Sequence, residues 1–292
     1  MFKTIDLNFL GNEGTIASFL IETHEGPILV ETGPHSTLKQ LEKGLNQYGY
    51  QISDVQHVLL THIHLDHAGA AWCFAEHGAK IYLHPNGIRH MADPSRLLDS
   101  ATRIYGDQMD RLWGTLKPIP TEQLIPIGHQ ETVNFGATKL KSWHTPGHAT
   151  HHIAWQLGHE LFAGDVAGVK ISGGPAIPPC PPPDINLEDW NSSMDMIKAQ
   201  DFEALHLTHY GKVDDPKGHL TELADRLQNW ANWIKPHYED DRPQAEVVPD
   251  FEKYVRKQLI DAGVEGHDLA RYEGANPSWM SVAGLYRYWK KR

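Results

Sequence analysis

Residues 58–67 read Val-Leu-Leu-Thr-His-Ile-His-Leu-Asp-His, and the reading of every other segment follows from this stretch. Val58-Leu59-Leu60 is a short apolar run with the character of a buried strand, and the polar cluster begins where the run ends. His62, His64, Asp66 and His67 are therefore expected at the C-terminal end of a strand, where the chain turns toward a helix. Imidazole and carboxylate are good ligands for zinc, iron or manganese. Four such groups this close share one electrostatic field, which a cation would neutralise. The plain alternative is a solvated turn that happens to be rich in histidine. With 20 histidines in 292 residues, an HxHxDH pattern rarely arises by chance.

The length suffices for one large domain, or for a main domain with an appendage. Apolar residues at 40% and charged residues at 22% match an ordinary globular composition. A net charge of −11 with no Lys/Arg-rich run argues against general affinity for nucleic acid. Cys73 and Cys180 are the only cysteines, so neither a disulfide framework nor a CxxC zinc motif is present. The first twenty residues include Asp6, Asn8, Asn12 and Glu13 and lack the basic start and apolar block of a signal peptide. No window of eighteen apolar residues occurs, so no membrane-spanning helix is expected. These features lead to the expectation of a cytoplasmic protein.

Residues 3–10 and 16–23 alternate apolar and polar around Gly11-Asn12-Glu13-Gly14, the pattern of a β-hairpin. A strand over 28–30 follows, then a helix over about 36–48 with Ser36 as its cap and Leu38, Leu41 and Leu45 on one face. A strand at 55–60, a small-residue helix at 68–75 and a strand at 81–83 complete an α/β layered start. Residues 86–117 read as a helical insertion, with Met91, Leu97, Leu98, Ile104, Met109, Leu112 and Trp113 at helical spacings. Strands return between 119 and 163. The proline-rich stretch 173–183 is neither helix nor inner strand; it is a stiff surface connection or a wall beside the site. Helices are expected at 187–200 and 218–235 around a short strand at 204–208, and the tail from 236 is helical. Trp230 and Trp233, and later Leu285, Tyr286 and Trp289, are expected in helix cores. Trp279, Met280 and Tyr286 alternatively roof a pocket. Domain limits are thus 1–235, with the 86–117 insertion, and a helical extension at 236–292.

Three further stretches place His or Asp just after an apolar run: 143–148 with His144 and His148, 161–165 ending at Asp165, and 204–210 with His206 and His209. Ligands from several strand ends can converge on one rim of a sheet sandwich. Singly, such residues are more often satisfied core or edge groups.

In their order, HxHxDH (62–67), TPGH (145–148), Gly164-Asp165 and His209 resemble the metallo-β-lactamase-fold hydrolase superfamily over about residues 1–235. The resemblance implies an αββα sandwich with a helical insertion and a helical C-terminal extension. It implies His62, His64 and His148 as ligands of one metal, Asp66, His67 and His209 as ligands of a second, and Asp165 bridging them. The cofactors so implied are two divalent ions, zinc first, with iron or manganese acceptable to the same donors. Two divalent cations, two aspartates and a bridging hydroxide leave a net positive centre. One metal alone lowers the pKa of water to about 7, so a bridging hydroxide is available at neutral pH. Asp66 and Asp165 are the catalytic candidates, Asp66 as a group that orients the nucleophile or carries a proton. His144, His151, His152 and His206 fall outside the family's ligand positions and take supporting or structural roles. His84, His90, His129 and His219 read as surface or loop residues.

Asp165 stands where one branch of lactamases has a cysteine ligand, which sets that branch aside. Gly168 stands where quorum-signal lactonases often carry a tyrosine, which counts against a typical acyl-homoserine lactonase. Glyoxalase-II-type thioesterases share all the ligands, but their basic glutathione anchor is not recognisable in the tail. The nucleic-acid-processing branch needs a large inserted domain. The leading reading is a dinuclear metal hydrolase of a carboxylic ester, lactone or thioester. The alternatives are a phosphodiesterase with the same metals and a metal-bound sensing member with little turnover. The substrate is expected to be a small, possibly anionic molecule. The C-terminal aromatic helix is the candidate surface for a homodimer.

Overall fold

The structure is a computed structural model that describes residues 2–292. The chain divides into two compact units, residues 1–144 with 151–162, and residues 145–150 with 163–292.

The first unit opens with β1 (Phe2–Asp6), β2 (Ala17–Thr23) and β3 (Gly26–Val30), paired antiparallel in sequence order. The first strand is shorter than the alternation of 3–10 suggests. The Asp6 carboxylate accepts the N–H groups of Asn8 (2.7 Å) and Gly14 (2.6 Å), which turns the chain out of the sheet. Helix α1 (Leu38–Gln47) then carries the chain across to β4 (His57–Leu59), which lies parallel to β3. Its Leu41 and Leu45 are fully buried, as the spacing predicts, and Gly44 lets the helix settle on Ile5. Ser36 does not cap it. A 3-10 turn over His35–Thr37 precedes the helix, and the Ser36 hydroxyl donates to Leu112 O at 2.6 Å.

The small-residue helix expected at 68–75 is two pieces, α2 (Leu65–Ala68) and α3 (Ala71–Ala75), so the histidine cluster itself starts the first piece. Strands β5 (Lys80–Leu83) and β6 (Leu124–Pro126) extend the parallel half, giving the order β1 through β6. Between them the insertion forms α4 (Pro85–Ala92), α5 (Ser95–Tyr105) and α6 (Met109–Leu112). Met91 is buried there, and Leu97, Leu98, Met109, Leu112 and Trp113 pack against the core. Strands β7 (Thr132–Phe135), β8 (Thr138–His144), β9 (Ile153–Leu157) and β10 (Glu160–Phe162) form antiparallel pairs that face the first sheet. Phe162 meets the rings of Phe2 and Phe19, each at 5.0 Å, and Phe135 meets Tyr82 at 5.8 Å. The fully buried Trp155 reaches across to donate its indole N–H to Leu60 O at 3.0 Å.

The second unit holds α7 (Leu187–Lys198), β11 (Ala204–Leu207), β12 (Gly211–Val213), α8 (Pro216–Glu239), α9 (Gln244–Asp261), α10 (His267–Ala275) and α11 (Ser278–Lys290). Trp230 is buried against Phe251, with its N–H on Gln258, whereas Trp233 is half-buried and stacks on Tyr254. Leu285 and Tyr286 are buried and Trp289 donates to Ala231 O, so the final helix is packed as expected. His219, read as a surface residue, is instead buried, and its Nε2 donates to Ala167 O at 2.7 Å. The helical period of α8 places it on the face shared by Leu220 and Leu223, which outweighs its polarity once the carbonyl satisfies the ring. No helix among the described residues is long and apolar enough to cross a membrane.

Cys73 and Cys180 are both buried thiols. Burial, with Glu76 adding to it, pushes the Cys73 thiol up to about 12, and burial raises Cys180 as well. A disulfide-exchange reagent at pH 8 should therefore titrate neither thiol in the native protein and both in guanidinium.

Candidate metal centre

The histidine motif lies just past β4, held by a carboxylate from the neighbouring strand. Glu31 follows β3 with a φ of 66° and is wholly buried. Its Oε1 accepts the Thr61 N–H at 2.9 Å, and its Oε2 faces His67 Nδ1 at 3.2 Å. The N–H groups of Thr32 and Gly33 and the Thr32 hydroxyl all donate to His67 O. Thr61 Oγ1 lies 2.9 Å from His62 Nδ1, and His62 Nε2 lies 2.9 Å from His64 Nδ1. The His62 and His67 ring centroids are 4.0 Å apart, and His67 Nε2 is 3.8 Å from Asp66 Oδ2. His62, His64, Asp66 and His67 are thus brought together within the first unit. His151 and His152 join them, at 6.1 and 5.1 Å from the His62 ring.

In the second unit the organising group is Asp165, on a 3-10 turn (Gly164–Ala167) just past β10. Its Oδ2 lies 3.3 Å from His148 Nε2 and its Oδ1 3.6 Å from His209 Nε2. All three side chains are buried. One carboxylate therefore presents a different oxygen to each of two imidazoles. Gly147 has a φ of 135°, and an added Cβ there would overlap the backbone of Trp190. That close approach seats the His148 ring edge-on to Trp190 at 5.6 Å, while the Trp190 N–H donates to Val166 O beside Asp165. His148 Nδ1 donates to Pro179 O at 2.9 Å.

These residues fit a metal site by their protonation logic. A backbone carbonyl only accepts, so Nδ1 of His148 carries a proton, and in the neutral ring Nε2 carries the lone pair. A lone pair opposite a buried carboxylate oxygen at 3.3 Å is repulsive unless a proton or a cation lies between them. The Glu31 carboxylate, 3.2 Å from His67 Nδ1, electrostatically favours a proton on that nitrogen, and His67 Nε2 faces Asp66. Histidines with the outer nitrogen held by a carboxylate, a hydroxyl or a carbonyl are the usual form of metal ligands. Glu31, Thr61 and Pro179 are not among the site residues that the sequence suggests. Glu31 shows the signal used for the others, a polar residue straight after an apolar strand, but it stands alone there. Nothing in the sequence marks a proline carbonyl 31 residues beyond His148. Among the other histidines, His84 and His144 stack on each other at 4.1 Å, and the backbone N–H of His144 donates to the His129 ring.

The Metallo-beta-lactamase superfamily profile matches residues 11–209. The chain belongs to that superfamily. A metallo-beta-lactamase fold-containing protein of Sulfurisphaera tokodaii is 28% identical over 159 residues, 51% of this chain and 57% of the relative. An atrochrysone carboxyl ACP thioesterase of Aspergillus fumigatus is 26% identical over 255 residues, 82% of this chain and 51% of the relative. The chain thus spans about half the length of these curated relatives. A metallo-beta-lactamase family protein of Thermus thermophilus shares the fold, with a TM-score of 0.68 at 19% identity over 99% of this chain and 93% of that one. The metallo-β-lactamase fold and its helical C-terminal extension are therefore features of this protein.

Glu31→Gln keeps an acceptor for Thr61 and withdraws the charge facing His67. Metal affinity should fall roughly 10–100-fold, the usual consequence of losing an outer-shell partner. Competition against a chromogenic chelator measures it.

Proposed function

We propose that this chain is a hydrolase that holds two divalent metal ions, zinc first, and cleaves a carboxylic ester, thioester or lactone. The observation that carries the reading is Asp165, buried with one oxygen toward His148 and the other toward His209, the posture of a carboxylate shared by two cations. In this reading His62, His64 and His148 hold one ion, Asp66, His67 and His209 the other, and Asp165 serves both. Both sets have the donor chemistry to hold a metal ion. When bound, the ions supply a lowered water pKa and polarisation of the electrophile's oxygen.

The residues of the chain do the rest. Thr61 and Pro179 orient His62 and His148, and the Glu31 carboxylate favours a proton on His67 Nδ1. Asp66 is the more exposed of the two aspartates, at 23% of its side chain against 5% for Asp165. That exposure suits it to meet substrate and carry a proton to the leaving group, while Asp165 stays a buried anchor. The acyl chemistry draws support from relatives named for it, the Aspergillus thioesterase and a hydroxyacylglutathione hydrolase of Shewanella halifaxensis that is 28% identical over 117 residues, 40% of this chain and 34% of the relative. The substrate of this reading is a small molecule with a carboxylate or a developing oxyanion near the bond that breaks.

The test pairs metal content per chain with turnover of a p-nitrophenyl ester, a lactone, a glutathione thioester and bis-p-nitrophenyl phosphate. About two ions per chain and turnover of a carbonyl substrate are expected. Turnover of the phosphodiester alone would replace the acyl reading with the phosphodiesterase one. Asp165→Asn should lower metal occupancy and cut turnover by at least about 10²-fold, whereas His151→Ala should be far milder. Equal metal content and activity in wild type and Asp165→Asn would sink the shared-carboxylate assignment.

A further inference from the structure

Residues 171–183 contain six prolines. Proline has no N–H, so such a segment has few donors of its own: Gly174 N–H donates to Ile171 O and the Cys180 thiol reaches Pro178 O, and its other carbonyls accept from donors elsewhere. Each donor here is identifiable. Tyr272 Oη donates to Pro175 O at 2.8 Å and accepts the Ile171 N–H at 3.0 Å. Asn276 Nδ2 donates to Pro178 O at 3.1 Å, and Arg287 Nε donates to Pro183 O at 3.0 Å. Between these anchors, Pro179 O accepts from His148 Nδ1 at 2.9 Å. Helix α11 presses on the same segment at Gly284, where an added Cβ would overlap Cys180 O.

Asn276 is 4% exposed, and its Oδ1 accepts from the Ser281 hydroxyl, which leaves the amide N–H₂ directed at Pro178. Pro178 and Pro179 are adjacent, and both have φ locked by the ring. The Asn276 amide and the His148 imidazole therefore grip neighbouring carbonyls of a stiff two-residue lever. With both φ angles fixed, displacing the Pro178 carbonyl shifts the chain that carries Pro179 O, and with it the His148 ring that faces Asp165.

We propose that Asn276, supported by Tyr272, is a positioning residue for His148, so that the C-terminal helices set the strength of one metal site through the proline segment. The inference rests on the reading of His148 as a metal ligand. Neither residue touches substrate or metal; each acts through the backbone of 175–179.

The experiment compares wild type, Asn276→Ala, Tyr272→Phe and Arg287→Ala. Three quantities are read: zinc affinity by chelator competition, the visible spectrum of the cobalt(II)-substituted protein, and the melting temperature of the metal-stripped protein. Asn276→Ala should weaken one of the two zinc ions about tenfold and change the cobalt spectrum. Tyr272→Phe, which keeps the ring in place, should do the same to a smaller extent. Arg287→Ala removes one of the two donors at the far end, where Lys291 Nζ still holds Pro183 O at 2.9 Å, and should leave both readouts at wild type. Wild-type zinc affinity and cobalt spectrum in both Asn276→Ala and Tyr272→Phe would overturn the proposal, whatever happens to the melting temperature, since that pattern is a purely structural role. Should Asn276→Ala fail to fold, Tyr272→Phe decides alone on the same criteria. Wild-type protein that takes up neither zinc nor cobalt would remove the metal reading itself, a result distinct from a wild type that binds metal with indifferent variants.

Discussion

A buried neutral imidazole whose outer nitrogen donates to an acceptor turns a lone pair inward, and this constraint governs the chain around the site. Pro179 O does it to His148 through a hydrogen bond, and the Glu31 carboxylate favours the same order in His67 through its charge. Each inward nitrogen then faces a carboxylate oxygen, of Asp165 or Asp66, which would repel it without a positive charge between them. Taking these groups out of water is costly unless they are paired or coordinate a metal. The burial of His67, His148 and Asp165 is thus a physical argument for the metal chemistry of the superfamily to which the chain belongs.

The backbone on either side is shaped to deliver these groups. Strands β3 and β4 end level with each other, so Glu31 and Thr61 meet directly and the HxHxDH turn is fastened before its side chains are placed. Glu31 holds a φ of 66°, a conformation that a non-glycine residue adopts at some cost. The contacts of its two carboxylate oxygens, and the Thr32 and Gly33 donors to His67 O, offset that cost. Gly147 solves the corresponding problem for His148, because only a residue without a Cβ can pass so close to Trp190.

Family membership narrows the chemistry and does not name a substrate. The matched stretch, residues 11–209, contains every proposed ligand but ends before α8. The helices beyond it nevertheless reach back to the site's own backbone: His219 holds Ala167 O, and Tyr272 and Asn276 hold the proline segment. Variation in this tail can therefore tune the centre without altering one of its ligands.

Much of this was legible in the chain itself. The apolar run before His62, the spaced leucines of α1 and the helical spacing of the insertion are local patterns, and local periodicity survives folding because it decides which face is buried. The nearness of His62, His64, Asp66 and His67 is bounded by their spacing, since the stretch spans at most about 17 Å even when extended, and the turn into α2 closes that distance. The two-piece helix at 65–75, the early end of β1 at Asp6 and the burial of His219 were not readable, because each depends on a hydrogen-bond partner remote in sequence or on tertiary packing. The same holds for Glu31 and Pro179. A carboxylate and a carbonyl become orienting groups only when the fold sets them against particular nitrogens. Residue types and their spacing determined which chemistry the chain can host; only the tertiary structure decided which nitrogen of each histidine faces inward, because that choice belongs to the acceptor on its other side.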